Sequence, residues 1–206
     1  MSLSITLIII IVNVIISLVA FQDNESFYKL CFWPDRFWND KEYIRILSGG
    51  FLHAHMPHLF FNMFSLFMFG PIVESYFMDE FGGAGHTMYI LFYISAVVVA
   101  NIPDLFEHKN DPAYRAVGAS GAVSAVVFAS IIFSPMSLIG IFIIPPIIPA
   151  YIFGILFLLY SAYMSRRQLD NIGHLAHFSG AMYGVLFPLL FQPSLFTEFL
   201  HKILSR

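Results

Sequence analysis

Long apolar stretches, interrupted by shorter polar ones, follow one another along most of this 206-residue chain. Six of these stretches have the length or apolar character of helices that cross or enter a bilayer. They cover residues 3–21, 58–77, 87–103, 119–133, 147–164 and 171–191. Pro57 suits the first turn of the second helix, and Gln192-Pro193 marks the end of the sixth. The pattern predicts an all-α polytopic membrane protein, a bundle of six transmembrane helices in a single domain over residues 1–206.

The first apolar stretch and the polar segment that follows it need separate interpretation. A cleaved signal peptide is the alternative for residues 3–21, but it would carry a basic n-region, and Met1-Ser2 supply no side-chain charge. Residues 22–57 mix aromatic and charged side chains, which favours the headgroup layer. We expect this segment to be a structured loop lying in the membrane interface.

Composition agrees with a membrane protein and excludes other classes. Hydrophobic residues make up 58 % of the chain and charged residues 11 %, against about 25 % charged in soluble domains. The lipid bilayer is therefore the expected partner. A formal net charge of −3 offers no basic patch, so we expect no nucleic-acid binding. The lone Cys31 excludes an internal disulfide.

Five small residues, GASGA at positions 118–122, stand between a polar loop and the fourth apolar span. Ser120 would lie where the first N–H groups of a helix are unpaired and the helix dipole is positive. This is a place where a developing oxyanion can be stabilised. The alternative is structural: Ser120 would cap the helix, and the glycines would allow close packing.

Polar side chains in three spans fall at one depth. The second, fourth and sixth spans begin on the same side of the membrane. If the fifteen-residue fourth span reaches the far face, Ser120 starts ~8 Å below the near one. His177 follows the start of its span by six residues, and Asn62 follows Pro57 by five, which places both ~8–9 Å down. Ser120, His177 and the pair His58/Asn62 can therefore converge.

His177 is the candidate general base for Ser120. A lone histidine inside a span is equally often a hydrogen-bonded helix contact, but a serine at matching depth needs a base to become a nucleophile. The fourth, fifth and sixth spans contain no Asp or Glu, and Glu74 lies ~24 Å along its helix from His58. A serine hydrolase built here would use a Ser–His dyad.

His58 and Asn62 are four residues apart and so share one helix face. Both can donate hydrogen bonds to an oxyanion, with the backbone N–H of Ser120 as a third donor. Asn62 could instead join the second span to a neighbouring helix. The cluster of His53, His55 and His58 fits no zinc spacing, and HExxH is absent. We therefore predict no metal site.

Small residues recur at helical spacing in the fourth and sixth spans. Gly180 and Gly184 form a GxxxG pattern one turn beyond His177, and Gly121 and Ala125 form its counterpart. Such faces let helices approach closely in lipid. We expect Gly118, Gly121, Gly180 and Gly184 to support the packing that brings His177 to Ser120.

Together these residues resemble the motifs of the rhomboid family of intramembrane serine proteases. Residues 118–122 are similar to that family's nucleophile motif, residues 176–180 with Gly184 to its AHxxG…G motif, and residues 58–62 to its HxxxN motif. The resemblance covers all six spans in the minimal six-helix form. It implies a rhomboid-like bundle.

The resemblance also implies an activity. Ser120 would be the nucleophile, His177 the general base and then acid, and Asn62 with His58 the oxyanion donors. The substrates would be transmembrane helices of other membrane proteins, cut near the membrane surface without a cofactor. The membrane would be a prokaryotic plasma (inner) membrane, with the active site opening to the non-cytoplasmic side.

Three features depart from the family's pattern. Ile44-Arg45 stands where the family often has Trp-Arg, and Ser124 stands where some members carry a tyrosine that stacks on the catalytic histidine. The third departure is the distribution of charge. The family's topology places most basic residues outside: Lys29, Arg36, Lys41, Arg45, Lys109, Arg115, Arg166 and Arg167, with only Lys202 and Arg206 inside. The positive-inside rule alone predicts the opposite orientation.

Other function classes fit less well. A catalytically inactive relative that binds transmembrane clients would not need Ser120, His177 and Asn62 together. A small transporter could use His58, Asn62 and His177 as a polar pathway, but it would not need the Gly-Ser-Gly helix entry. A soluble α/β-hydrolase is excluded because its GxSxG elbow needs a preceding strand and a glycine at position 122, where this chain has alanine.

Overall fold

The computed structural model describes residues 4–141, 144–167 and 172–205, and these residues are mostly helical. The helices, in chain order, are α1 (Ile5–Gln22), α2 (Asn24–Leu30), α3 (Pro34–Asn39), α4 (Arg45–Ser48), α5 (Met56–Phe81), α6 (Gly85–Glu107), α7 (Ser120–Phe133), α8 (Ala150–Arg167), α9 (His174–Phe191) and α10 (Ser194–Leu204). Short 3-10 turns at Gly49–Phe51 and Gly82–Ala84 precede α5 and α6. Two strands, β1 (Leu138–Ile141) and β2 (Ile144–Pro149), lie between α7 and α8.

The six predicted spans correspond to α1, α5, α6, α7, α8 and α9, which confirms the all-α membrane fold. Among the described residues, three segments are long and apolar enough to cross a membrane: Ile5–Gln22, Met56–Glu107 and His174–Phe191. The second of these contains both α5 and α6, and Ser120–Phe133 is apolar but shorter. The predicted domain limits, residues 1 and 206, lie outside the described residues. The predicted starts of the first and sixth spans, residues 3 and 171, do so as well.

The predicted start of the fifth span at Ile147 is wrong. Residues 144–149 form β2 instead, which pairs antiparallel with β1, and α8 begins only at Ala150. Prolines at positions 145, 146 and 149 lack the N–H groups that helical turns need. In a two-stranded hairpin each strand has a free edge, so these missing donors are tolerated there.

Residues 22–57, which we predicted to lie in the membrane interface, are structured and contain three short helices, α2, α3 and α4. Arg45 is buried, and its guanidinium donates hydrogen bonds to the carbonyls of Tyr28 (2.8 Å) and Cys31 (3.1 Å) and pairs with Glu42. Its neighbour Ile44 is 63 % exposed. Backbone bonds between Phe32 and residue 116, and between residues 118 and 49, attach this segment to the entry of α7.

Glu74 in α5 receives the beginning of α1. Its carboxylate accepts hydrogen bonds from the backbone N–H groups of Ile5 (2.6 Å) and Thr6 (3.0 Å) and from the hydroxyls of Ser4 (2.6 Å) and Thr6 (2.7 Å). The first N–H groups of a helix have no partners within it, and they attract negative charge. This acidic side chain, which lies too far from His58 to take part in chemistry, therefore holds α1 against α5.

Helix α7 is the centre of the bundle, because twelve of its fourteen residues are buried. It meets α9 at the predicted small-residue faces. A Cβ added to Gly180 would lie 2.0 Å from the carbonyl oxygen of Gly121, and one added to Gly184 would lie 2.1 Å from that of Ala125. The two backbones therefore touch, at a separation that only glycine permits.

The chain continues beyond the sixth span as α10, which the sequence pattern did not lead us to predict. Leu195 is buried against the bundle, whereas Phe196 and Leu204 are exposed. The ammonium of Lys202 donates a hydrogen bond to the carbonyl of Phe133, the last residue of α7, at 3.0 Å. A positive charge at this end complements the helix dipole.

The capping of α1 predicts the effect of removing Glu74. Glu74→Ala leaves several buried donors unpaired and should lower the free energy of unfolding by about 3 kcal/mol. Glu74→Gln retains an acceptor oxygen and should lose less. Denaturant or thermal unfolding in detergent measures both. Glu80→Ala, at an exposed position on the same helix, is the control, and an equal loss in that variant would contradict this role of Glu74.

The contact between α7 and α9 predicts that even a methyl group at position 180 is disruptive. Gly180→Ala would place its Cβ against a backbone oxygen that cannot move independently, so we expect a loss of about 1–3 kcal/mol in unfolding free energy. Gly173→Ala is the matched control, since its Cβ would meet its nearest neighbour at 3.7 Å. Unchanged stability in Gly180→Ala would show that the helices do not touch here.

Candidate active site

Ser120 is the first residue of α7, and Ala119 occupies the N-cap position without a side-chain capping bond. The alternative that Ser120 caps the helix is therefore not what the structure shows. The hydroxyl belongs to the first turn, where the helix directs its unpaired N–H groups and the positive end of its dipole. The N-terminal end of α7 is therefore polar, although most residues of the helix are apolar.

The hydroxyl oxygen of Ser120 lies 2.8 Å from Nε2 of His177, which is within hydrogen-bond distance. The two residues are 57 positions apart and come from α7 and α9. Gly180, one turn beyond His177 on α9, touches Gly121, the neighbour of Ser120. The close helix contact therefore fixes the distance between the two side chains. With a neutral ring protonated at Nδ1, the serine hydroxyl donates to the bare Nε2.

The rings of Phe157 and His174 approach His177. The ring of Phe157 in α8 lies 6.3 Å from it, centroid to centroid, at an interplanar angle of 35°. His174, one turn earlier on α9, lies 6.1 Å away in an edge-to-face arrangement. Ser124 offers no ring and is itself buried. We did not find Phe157 from the sequence, because nothing in the apolar pattern of α8 shows which of its aromatic residues faces α9.

His58 packs against the backbone just ahead of Ser120 because residue 118 is glycine. A Cβ added to Gly118 would lie 2.7 Å from Cε1 and 3.0 Å from Nε2 of the His58 ring, and 3.6 Å from the Ser120 hydroxyl. Gly118 also has φ of +139°, a conformation that side chains rarely adopt. It lies ahead of α7 and contacts the imidazole of His58, whereas Gly121, Gly180 and Gly184 lie in the helix contact itself.

Asn62 is buried one turn after His58, on the same face of α5. Its side-chain amide donates a hydrogen bond to the carbonyl of His58 at 3.2 Å. A primary amide has two N–H groups, so one donor is left for a ligand. The geometry keeps His58 and Asn62 together but commits half of the asparagine's donor capacity to its own helix.

The three histidines before and at the start of α5 lie close together but make different contacts. His53 is fully buried, with Nδ1 2.8 Å from the Ser17 hydroxyl of α1 and its ring 5.1 Å from that of His58. Burial lowers the pKa of His53 to about 3, so its ring is neutral. His55 caps α5 by accepting a bond from the N–H of His58 at 3.1 Å. The sequence did not show that α1 approaches the site through Ser17.

A possible group of metal ligands lies elsewhere. Within the described part of the chain, Asp104, Glu107 and His108 at the end of α6 have ligand atoms within 4.8 Å of one another. Acidic side chains near a helix end commonly cluster without an ion, and nothing else about this group points to one. The prediction that the protein contains no metal site remains a prediction.

Comparisons with known proteins identify the family of this chain. The family model described as "Rhomboid domain" matches residues 40–194. Rhomboid-like protein 11, chloroplastic, of Arabidopsis thaliana is 30 % identical over 160 residues, covering 72 % of this chain and 52 % of the relative. YdcA of Bacillus subtilis (strain 168), named as a candidate rhomboid protease, is 30 % identical over 107 residues, or 52 % of this chain and 46 % of the relative.

RHOMBOID-like protein 12, mitochondrial, of Arabidopsis thaliana is 26 % identical over 145 residues, covering 66 % of this chain and 43 % of the relative. The chain thus spans about half the length of the relatives it matches. The family model covers the segment from the interfacial loop to the end of α9, which includes Ser120, His177 and the pair His58/Asn62. From its helical membrane fold and this match, the chain belongs to the rhomboid family.

Proposed function

We propose that this protein is an intramembrane serine endopeptidase that cleaves transmembrane segments of other membrane proteins near the membrane surface. The observation that carries the proposal is the 2.8 Å contact between the Ser120 hydroxyl and Nε2 of His177 at the first turn of α7. A serine hydroxyl is a weak nucleophile at neutral pH and needs an adjacent base. This pair supplies both.

The reaction begins with attack of the Ser120 oxygen on a peptide carbonyl carbon. His177 Nε2 takes the hydroxyl proton as the new C–O bond forms, and the carbonyl oxygen becomes an oxyanion. The resulting imidazolium then gives its proton to the leaving amine when the C–N bond breaks. Water, deprotonated by the same nitrogen, hydrolyses the acyl-enzyme and restores the hydroxyl of Ser120.

The oxyanion would be stabilised by donors from two helices. The backbone N–H of Ser120 lies at the positive end of α7, and His58 and Asn62 approach from α5. Donors fixed before the reaction need no reorganisation when charge develops. The dense packing of α7 and the capping of α5 by His55 hold these groups in place.

The proposed substrate class rests on the predicted depth of the site and on the hydrogen bonding within a substrate helix. Ser120 lies in the first turn of an apolar helix, and the depth predicted from the sequence would place it near one membrane surface. The peptide groups of a transmembrane helix are bonded to one another, and a protease needs one of them exposed. Helix ends open more easily than helix centres, so we propose cleavage near the ends of substrate helices.

We further propose that the membrane is a prokaryotic plasma (inner) membrane and that the site opens to the non-cytoplasmic side. The support is the resemblance to the minimal six-helix form of the family. The basic residues of the loops favour the opposite orientation. Accessibility of a cysteine introduced at exposed Lys109, in intact cells, distinguishes the two.

Covalent labelling of Ser120 tests the proposed chemistry. A fluorophosphonate reacts only with an activated serine, because its phosphorus must be attacked by a hydroxyl whose proton is being removed. We expect labelling of the wild type, none in Ser120→Ala and a sharp decrease in His177→Ala. Ser124→Ala, one turn further along α7, is the control and should remain labelled. Mass spectrometry identifies the labelled residue.

Both alternative functions predict that no labelling occurs in this experiment. An inactive relative that binds transmembrane clients, or a small transporter, would fold normally and remain unlabelled. If folded wild-type protein is neither labelled nor able to cleave any of a panel of model transmembrane substrates in detergent and in vesicles, the protease assignment is wrong.

The role of Asn62 predicts a kinetic effect. Loss of an oxyanion donor lowers kcat by roughly ten- to a thousandfold in serine proteases, and we expect this range for Asn62→Ala with little change in KM. Asn101→Ala is the matched control, since Asn101 makes the same hydrogen bond to a carbonyl one turn earlier on α6, at 2.9 Å. A rise in KM alone would indicate that Asn62 binds the substrate instead.

A further inference from the structure

The ring of His177 is packed by α8, although Ser120 and His177 themselves belong to α7 and α9. Phe157 lies 6.3 Å from His177 between ring centroids, at 35°. Aromatic rings interact favourably at centroid separations of about 4.5–7 Å. The helix that carries the nucleophile offers no such ring, because Ser124 stands one turn after Ser120. Phe157 therefore brings an aromatic neighbour to the base from a third helix.

The contact is part of a register between two helices. Tyr160, three residues after Phe157, meets the ring of His174 at 5.4 Å and 81°. His174 in turn is three residues before His177. Three residues forward on α8 thus correspond to three residues back on α9, as expected for antiparallel neighbours one turn apart. Two contacts in the same register show that the aromatic face of α8 lies along the histidine face of α9.

Phe157 is itself held from two sides. Its ring lies 5.6 Å from that of Phe128, a buried residue of α7, and 5.9 Å from that of Phe153, one turn earlier on α8. Phe157 therefore touches the helix that carries Ser120 as well as the ring that activates Ser120. A displacement of Phe157 would therefore change the position of the His177 ring relative to α7.

We propose that Phe157 is a positioning residue that orients the His177 imidazole for proton transfer from Ser120. The inference rests on the proposed function. An imidazole can turn about two side-chain bonds, and only a narrow range of orientations keeps Nε2 at the hydroxyl. A misplacement of ~1 Å can lower a rate about a hundredfold. Phe157 limits that rotation by occupying the space beside the ring, so the position of α8 enters the chemistry at Ser120.

Kinetics of three variants test this role. Phe157→Leu keeps an apolar side chain of similar length but removes the ring, and we expect kcat to fall by about tenfold with KM little changed. Phe157→Tyr keeps the ring and should retain kcat to within about twofold of wild type. Phe153→Leu removes a ring that contacts Phe157 from one turn earlier on α8, and it is the matched control.

The kinetic outcome decides the proposal in either direction. A loss of kcat in Phe157→Leu, with retention in Phe157→Tyr and Phe153→Leu, supports it. Equal losses in Phe157→Leu and Phe153→Leu, or a loss that follows the thermal unfolding temperature of the variants, would show that α8 packing matters only for stability and would overturn it.

A measurement without catalysis separates this inference from the proposed function. In Ser120→Ala protein with isotope-labelled histidine, the ring protons of His177 report the ring current of a neighbouring aromatic side chain. Adding Phe157→Leu should shift these signals, and adding Phe153→Leu should not. If the wild type is inactive but the shift is seen, the protease proposal fails while the packing of Phe157 on His177 stands. Without the shift, the positioning role is wrong even in an active enzyme.

Discussion

The structure depends on direct backbone contact between α7 and α9. In lipid, apolar side chains gain little by leaving one apolar surrounding for another, so close van der Waals packing has to hold helices together. Gly180 and Gly184 supply it by resting on the carbonyls of Gly121 and Ala125. One turn away, the same contact leaves a hydrogen-bond distance between Ser120 and His177. A bulkier side chain in the contact would separate the helices and the reacting atoms together.

Polar groups that the bundle encloses are used to fix its parts. Glu74 accepts hydrogen bonds from the beginning of α1, and Arg45 donates hydrogen bonds to carbonyls of segment 22–57. Ser17 is hydrogen-bonded to the neutral ring of His53, which lies beside His58. Unpaired polar groups are costly in such surroundings, so each bond also defines which segments can be neighbours. Helices α5, α8 and α9 pack around α7 at the site, and α1 supports it through α5 and His53.

The sequence predicted what depends on local pattern and on small sets of distinctive residues. Apolar runs located the helices, and Ser120, His177, His58 and Asn62 stood out because polar residues are rare inside spans. Contacts set by the rotation of one helix against another could not be predicted: Phe157 is one of many aromatic residues on α8, and only the register with α9 distinguishes it. The hairpin before α8 was not predicted, because the prolines of β2 interrupt a helix without showing that β1 pairs with it.

Lys202 attaches α10 to the end of α7 that lies opposite Ser120. Its ammonium reaches the terminal carbonyl of α7 from α10, whose Phe196 and Leu204 are exposed on its outer side. A helix of fourteen residues is stiff along its axis, so its two ends cannot move independently. The position of α10 therefore sets a condition on where Ser120 lies at the other end of α7.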